Sequence, residues 1–297
     1  MKLPSPFPSL FVSPSDLHRA LSNPPRNVRI IPVAAGNTLS LPSYESRHVP
    51  GSVFFNMDLI RDTTSQYPMM LPTSSQFAKY MTELEIRSDD ILVVYDTFET
   101  GLHSSPRVAW MCHHFGHKAA HVLNNFSRYV QEGFSVSVGK LSIPPSFGPR
   151  VDYPEQQSLG SGVITFEELH DIINIHDLKG EYQIIDARPS DRFSGRNDGP
   201  SASLPSGHMP SAINVPFSSI LGLDKTILPP ADLQAVFTKA GVRENIPTFL
   251  SCNSGVTAAA LDLALRTSGL QVKPRLYDGS WSEWAKRAVD QGMIVTE

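Results

Sequence analysis

"TFLSCNSGVTAAALDLALRTSG", residues 248–269, changes character twice within 22 residues. "TFL" is a short, apolar, β-rich run, "SCNSG" is built of turn-formers, and "GVTAAALDLALRTSG" is a helical run stopped by Gly269. A strand that passes through a short loop into a helix is the building unit of an α/β domain. In open α/β sheets, ligands bind at the carboxyl ends of the strands, where such loops lie. Cys252, one of only two cysteines in 297 residues, sits in this one.

The same order of features occurs twice along the chain. "VSPSDLHRAL" (12–21) aligns with "ITFEELHDII" (164–173), and "VRIIPVA" (28–34) with "YQIIDAR" (182–188). "RHVPGSVFFN" (47–56) aligns with "GHMPSAINVP" (207–216), which sets His48 opposite His208. "ILVVYD" (91–96) aligns with "PTFLSC" (247–252), so Asp96 faces Cys252, and "HVLNNF" (121–126) aligns with "RLYDGSW" (275–281). The offsets stay between 152 and 160 in constant order, which indicates a duplication. Ser15-Asp16 and the capping box Thr165–Glu168 read as helix starts. The runs Val28–Val33, Ile91–Tyr95, Gln183–Ile185 and Thr248–Leu250 read as strands covered on both faces. The expected fold is therefore α/β, two tandem domains, each a mainly parallel sheet flanked by helices. Residues 1–137 and 163–297 form the domains, and 138–162, rich in Pro, Gly and Ser, the linker.

The bulk composition agrees with a chain of this size forming two cores. It is 40% hydrophobic and 18% charged, with a net charge of −4. No basic excess points to nucleic acid, and no apolar stretch approaches the roughly 20 residues that span a bilayer. Two distant cysteines argue against a disulfide framework and fit a reducing compartment. The start lacks both a secretory core and an arginine-rich presequence, so the expected location is cytoplasmic, with the mitochondrion second.

Cys252 stands at a strand end, where the N–H groups of Asn253 through Thr257 and the positive end of a helix can converge. Such a setting lowers a thiol's pKa and holds an anion beside it. Cys112, in "AWMCHHFG", sits mid-helix among apolar residues and reads as a buried packing cysteine; the turn-formers around Cys252 argue against that reading there. A cysteine-based phosphatase needs an arginine six residues after the cysteine, and Ala258 holds that position. No second cysteine or nearby histidine completes a metal site. The thiol is left to act as a nucleophile, with no metal or organic cofactor.

"CNSGVTA" resembles the Cys-Gly-Ser-Gly-Val-Thr-Ala loop of the 3-mercaptopyruvate branch of the tandem-domain rhodanese family. "HVPGSVFFN", "RDTTSQYPMMLP", "VVYD", "SPRVAWM", "SGHMP" and "YDGSWSEW" are similar to further motifs of that family, in the family's order. The resemblance runs from about residue 10 to the C-terminus. It implies a sulfurtransferase whose first domain is catalytically silent, with Asp96 where the second domain has Cys252. Sulfur would pass from 3-mercaptopyruvate to Cys252 as a persulfide, with release of pyruvate. Thioredoxin, glutathione, another protein cysteine, or cyanide in the test tube would then take it.

Thiosulfate enzymes of the family resemble Cys-Arg-Lys-Gly in this loop, because a small dianion needs nearby cations. Here those positions are Asn253 and Ser254, both neutral, which favours mercaptopyruvate. The resemblance gives Ser254 a proton-relay role and brings in Asp62 of "RDTTS". The segment reads "PMM" where family members often carry a histidine. By the same resemblance the loop residues Asn253, Gly255, Val256 and Thr257 bind the substrate. The first substrate arginine matches Arg192; the second aligns with Ser201, and Arg196 lies near enough to replace it. Arg188 reads as a structural partner of Asp186, His48 and His208 as turn-fixing residues, and Trp281 and Trp284 as core beside the loop. Two alternatives stay open: a thiosulfate sulfurtransferase, and a persulfide relay serving tRNA thiolation or cofactor synthesis.

Overall fold

The computed structural model describes residues 5–98, 100–140, 151–156, 162–175, 180–197 and 204–297. The chain divides into two units. Unit 1 is Met1–Asp62, Leu71–Leu159 and Leu223–Ile227; unit 2 is Thr63–Met70, Gly160–Gly222 and Leu228–Glu297.

Unit 1 is built on strands β1 (Phe11–Val12), β2 (Ile30–Gly36), β3 (Val53–Asn56), β4 (Ile91–Asp96) and β5 (Ala119–Leu123), in the order β1-β5-β4-β2-β3. Unit 2 is built on β6 (Val163–Ile164), β7 (Gln183–Asp186), β8 (Ala212–Asn214), β9 (Thr248–Ser251) and β10 (Pro274–Tyr277), in the order β6-β10-β9-β7-β8. Every pairing among these strands is parallel. The two orders are one permutation applied twice, so the duplication read from five collinear matches is also a duplication of topology. The runs of β2, β4, β7 and β9 are buried throughout, as strands covered on both faces must be.

In unit 1 the helices are α1 (Pro14–Ser22), α2 (Leu41–Ser46), α3 (Ser74–Glu83), α4 (Ser105–His114) and α5 (Phe126–Gln131). In unit 2 they are α6 (Phe166–Ile175), α7 (Ser190–Phe193), α8 (Pro230–Lys239), α9 (Val256–Ser268) and α10 (Ser280–Arg287). Helix α1 starts one residue earlier than Ser15-Asp16 suggests. Pro14 opens it and Ser13 caps it by accepting the Asp16 N–H, since proline fits the first helical position. The Thr165–Glu168 capping box forms as read, with both reciprocal bonds present. No described helix is long and apolar enough to cross a membrane.

His48 and His208 occupy the same place in their units. Each forms an isolated antiparallel bridge, His48 with Ser137 and His208 with Val295. Each ring stacks on the aromatic whose backbone carbonyl takes its Nδ1–H: Tyr44 for His48, Phe193 for His208. A residue doing one structural job in both halves is a turn-fixing residue.

The 138–162 segment behaves differently from a free linker over residues 151–156. Tyr153 is buried, and its N–H is donated to Thr82 Oγ1. His117 Nε2–H donates to the Asp90 carbonyl, and burial lowers the His117 pKa, so the ring is neutral and its Nδ1 accepts the Tyr153 hydroxyl at 2.8 Å. Gly116, at φ +75°, lets Gln156 approach where a Cβ would collide with its side-chain oxygen at 2.1 Å. Proline, glycine and serine signalled the absence of a ladder, which is not the absence of packing.

Helix α9 buries nearly every residue, including the small run Ala258–Ala260 that lets it lie close to the sheet. One buried position is charged. Burial pushes the Asp262 carboxyl up to about 6, against the opposing pull of Arg266 at 2.8 Å. Because the folded-state value lies above the unfolded one, the protonated form stabilises the fold below about pH 4, and that contribution is lost as pH rises through 6. Asp262→Asn should remove the dependence. Relative to the variant, the natural chain should lose about 2 kcal/mol between pH 4 and 7. Urea unfolding across that range tests this, and parallel stability curves would contradict it.

Candidate active site

Ser251 ends β9 in register with Asp186 of β7, and its carbonyl accepts the Ala187 N–H. Leu250, one residue before it, pairs with Leu276 of β10. Residues following β7, β9 and β10 therefore leave the sheet at the same, carboxyl, edge. These are Ala187–Asn197, Cys252–Gly255 and Asp278–Ser282. Cys252 is the first residue beyond β9. Gly255, at φ +75°, turns the chain into α9 in a conformation that glycine adopts without strain. The N–H groups of the first turn of α9 have no partner within the helix and carry its positive end.

The loop is held by residues that follow β10. Ser280 Oγ accepts the N–H of Cys252 at 3.2 Å and that of Gly255 at 3.1 Å, and donates to the Tyr277 carbonyl at 2.8 Å. The Trp281 N–H donates to the Cys252 carbonyl at 3.0 Å, and the Ser282 N–H and hydroxyl both donate to the Asn253 carbonyl. Of the N–H groups expected to gather round the sulfur, that of Gly255 is thus turned to Ser280. No local signal marks this tie, since the partners lie 25 and 28 residues apart.

Both thiols are buried, Cys112 at 1% and Cys252 at 2% exposure, so the expected contrast in burial is absent. Turn-formers mark where a chain reverses, and the Ser280–Ser282 segment, distant in sequence, covers this reversal. What separates the thiols is place. Cys112 lies within α4, where burial pushes its thiol up to about 12. Cys252 lies at a sheet edge beside a helix start, with Asn253 exposed and Ser254 and Thr257 half-buried next to it. In unit 1 the corresponding strand end carries Asp96, which is buried and accepts N–H groups from His103, Ser104 and Ser105 at the start of α4. Burial raises its carboxyl.

Arg192 belongs to α7 and is half-buried; its carbonyl accepts the Gly207 N–H, which fixes the turn that carries it. Arg196 is exposed and its Nε donates to Ser194 Oγ. Ser201 lies outside the described residues. Arg188 is structural: it is buried, pairs with Asp186 at 2.6 Å, donates to the Gly207 carbonyl and stacks on Trp281. Trp281 and Trp284 are core residues, with ring N–H groups donated to the Pro205 and Met293 carbonyls. Asp62 is the last residue of the first unit 1 segment, and Cys252 lies in unit 2.

Residues 165–287 match the rhodanese-like domain family. The chain is 36% identical over 256 residues to 3-mercaptopyruvate sulfurtransferase of Rattus norvegicus, covering 84% of this chain and 81% of that one. The chain belongs to the rhodanese-type sulfurtransferases. The sulfurtransferase is also 38% identical over 250 residues to thiosulfate sulfurtransferase of the same organism, covering 82% and 80% of the two chains. Its fold is similar to that of the sub-stoichiometric sulfur transferase subunit of yeast mitochondrial complex I. That match has a TM-score of 0.84 at 30% identity, over 97% of this chain and 99% of that one. As a member of this family the sulfurtransferase is an enzyme, and the tandem α/β architecture read from its sequence is the family's fold.

Proposed function

We propose that this sulfurtransferase takes sulfur from 3-mercaptopyruvate, carries it on Cys252 as a persulfide and hands it to a thiol. The Cys252 thiolate attacks the substrate sulfur, and the C–S bond breaks with its electron pair moving to carbon. The resulting pyruvate enolate takes up a proton, for which the Ser254 hydroxyl is the donor, reloaded from solvent. An acceptor thiolate, such as that of thioredoxin or glutathione, then attacks the outer sulfur and leaves with it, and Cys252 returns as the thiolate. The role given to Asp62 rests on the family resemblance alone.

One observation carries the choice of donor: the two residues after Cys252 are Asn253 and Ser254, with no cation at either. A thiosulfate dianion would meet no charge there, whereas mercaptopyruvate needs a hydroxyl proton and a cation only for its carboxylate. Arg192, half-buried on the turn that follows β7, supplies that cation, and Arg196, four residues on, supplies the second. The 38% identity to a thiosulfate sulfurtransferase favours thiosulfate as a second reading. The solved yeast mitochondrial relative supports a mitochondrial location for this enzyme.

Steady-state kinetics with both donors tests the proposal. kcat/KM for mercaptopyruvate should exceed that for thiosulfate. Arg192→Ala and Arg196→Ala should each raise KM for mercaptopyruvate roughly tenfold or more with little change in kcat, as expected when a charge-assisted bond to the unreacting carboxylate is lost. A higher kcat/KM for thiosulfate would overturn the donor assignment, and an unchanged KM in Arg196→Ala would remove that residue from the site.

A further inference from the structure

We infer that Ser280 is a positioning residue that aims the peptide groups of the Cys252 loop, with Ser282 as its auxiliary. The inference rests on Cys252 being the sulfur carrier and names what shapes its surroundings.

Carbonyl and N–H of a trans peptide point in opposite directions. The Cys252 carbonyl is drawn to the Trp281 N–H and the Asn253 carbonyl to Ser282. The next N–H groups in the chain, those of Asn253 and Ser254, are therefore turned away from residues 280–282, toward the side where Asn253 is exposed and Ser254 half-buried. The two flanking N–H groups, of Cys252 and Gly255, are gathered on the single oxygen of Ser280. The clamp thus sorts the loop. Carbonyl oxygens, which would repel an anionic sulfur, face inward, and two N–H donors face outward.

Two further features set Ser280 apart from a serine that merely fills space. It is fully buried, and its φ of +49° is a left-handed value that serine seldom adopts. The duplicated half supplies the comparison. Ser280 is the first residue of α10, and the first residue of α5, at the corresponding position, is Phe126. The half without the thiol lacks the hydroxyl as well, and ties the loop after β4 with the Asp96 carboxylate instead. The hydroxyl accompanies the thiol and not the fold.

The test compares Ser280→Ala, Ser280→Gly and Ser282→Ala with the natural enzyme, using Ser268→Ala, a buried serine at the far end of α9, as a structural control. The readouts are the pH dependence of Cys252 alkylation by iodoacetamide, and kcat and KM for mercaptopyruvate. Ser280→Ala and Ser280→Gly should raise the alkylation midpoint and lower kcat roughly tenfold or more, with smaller changes in KM, as when a preorganised donor set is misaligned. Glycine tolerates φ +49°, so a role confined to the turn would leave Ser280→Gly fully active. Ser282→Ala should move both readouts in the same direction by a smaller factor, and Ser268→Ala should move neither. Unchanged midpoints and kcat in the Ser280 variants, with normal sulfur uptake on Cys252 in the natural enzyme, would overturn the clamp and leave the carrier assignment standing. Absence of sulfur on Cys252 in the natural enzyme would instead overturn the carrier and the clamp together. Should both Ser280 variants fail to fold, an unchanged midpoint in Ser282→Ala overturns the clamp.

Discussion

Cys252→Ser is expected to lower sulfur transfer from either donor roughly a thousandfold or more, the scale on which enzymes lose activity when a covalent nucleophile is removed. A hydroxyl is close to a thiol in size, but it cannot form the S–S bond that carries the cargo. The loop should survive the change, because its ties run through the Cys252 backbone N–H and carbonyl and spare the side chain. Cys112→Ser should behave in the opposite way. Its thiol lies inside α4 and its proton is held up to about 12, so it takes no part in chemistry at neutral pH. Burying a hydroxyl there in place of sulfur should cost about 1–3 kcal/mol of stability. Initial rates and thermal melts of the two variants check both halves. Appreciable transfer by Cys252→Ser would contradict the assignment.

The second large effect concerns donor choice. Asn253→Arg combined with Ser254→Lys should move the ratio of kcat/KM for thiosulfate over mercaptopyruvate by roughly a hundredfold. Two cations within a few ångströms of a dianion at a partly exposed site contribute on the order of 1–3 kcal/mol toward thiosulfate. Loss of the Ser254 hydroxyl removes a proton donor from mercaptopyruvate cleavage, which lowers the other arm of the ratio. Asn253 is exposed and Ser254 half-buried, so both long side chains have room without repacking the core. A ratio that stays put would show that the loop is not the selectivity filter.

Much of the fold was legible because its signals are local or repeated. Continuous apolar runs marked β2, β4, β7 and β9, and the recurrence of His48 and His208 before similar turns marked the duplication. The Asp186–Arg188 pair was legible too, since its partners are two residues apart. The clamp was not. "DGSWSEW" carries two tryptophans that read as core, and they are core, but nothing in the string says that Ser280 will collect two N–H groups from a loop 25 and 28 residues upstream. Burial of Cys252 was hidden for the same reason, since the segment that covers it is brought there by the pairing of β10 with β9. Tyr153 shows the limit from the other side: an aromatic in a stretch rich in Pro, Gly and Ser packs within unit 1 through His117 and Thr82, and composition averages it away.

The central claim is that Cys252 alone carries the sulfur, and intact-mass spectrometry tests it most directly. The natural enzyme, Cys112→Ser and Cys252→Ser would each be treated with 3-mercaptopyruvate in the absence of acceptor thiol. The natural enzyme and Cys112→Ser should each gain one sulfur atom, lost again on adding an acceptor thiol, while Cys252→Ser gains none. A sulfur atom on Cys252→Ser, or none on the natural enzyme, would contradict the claim.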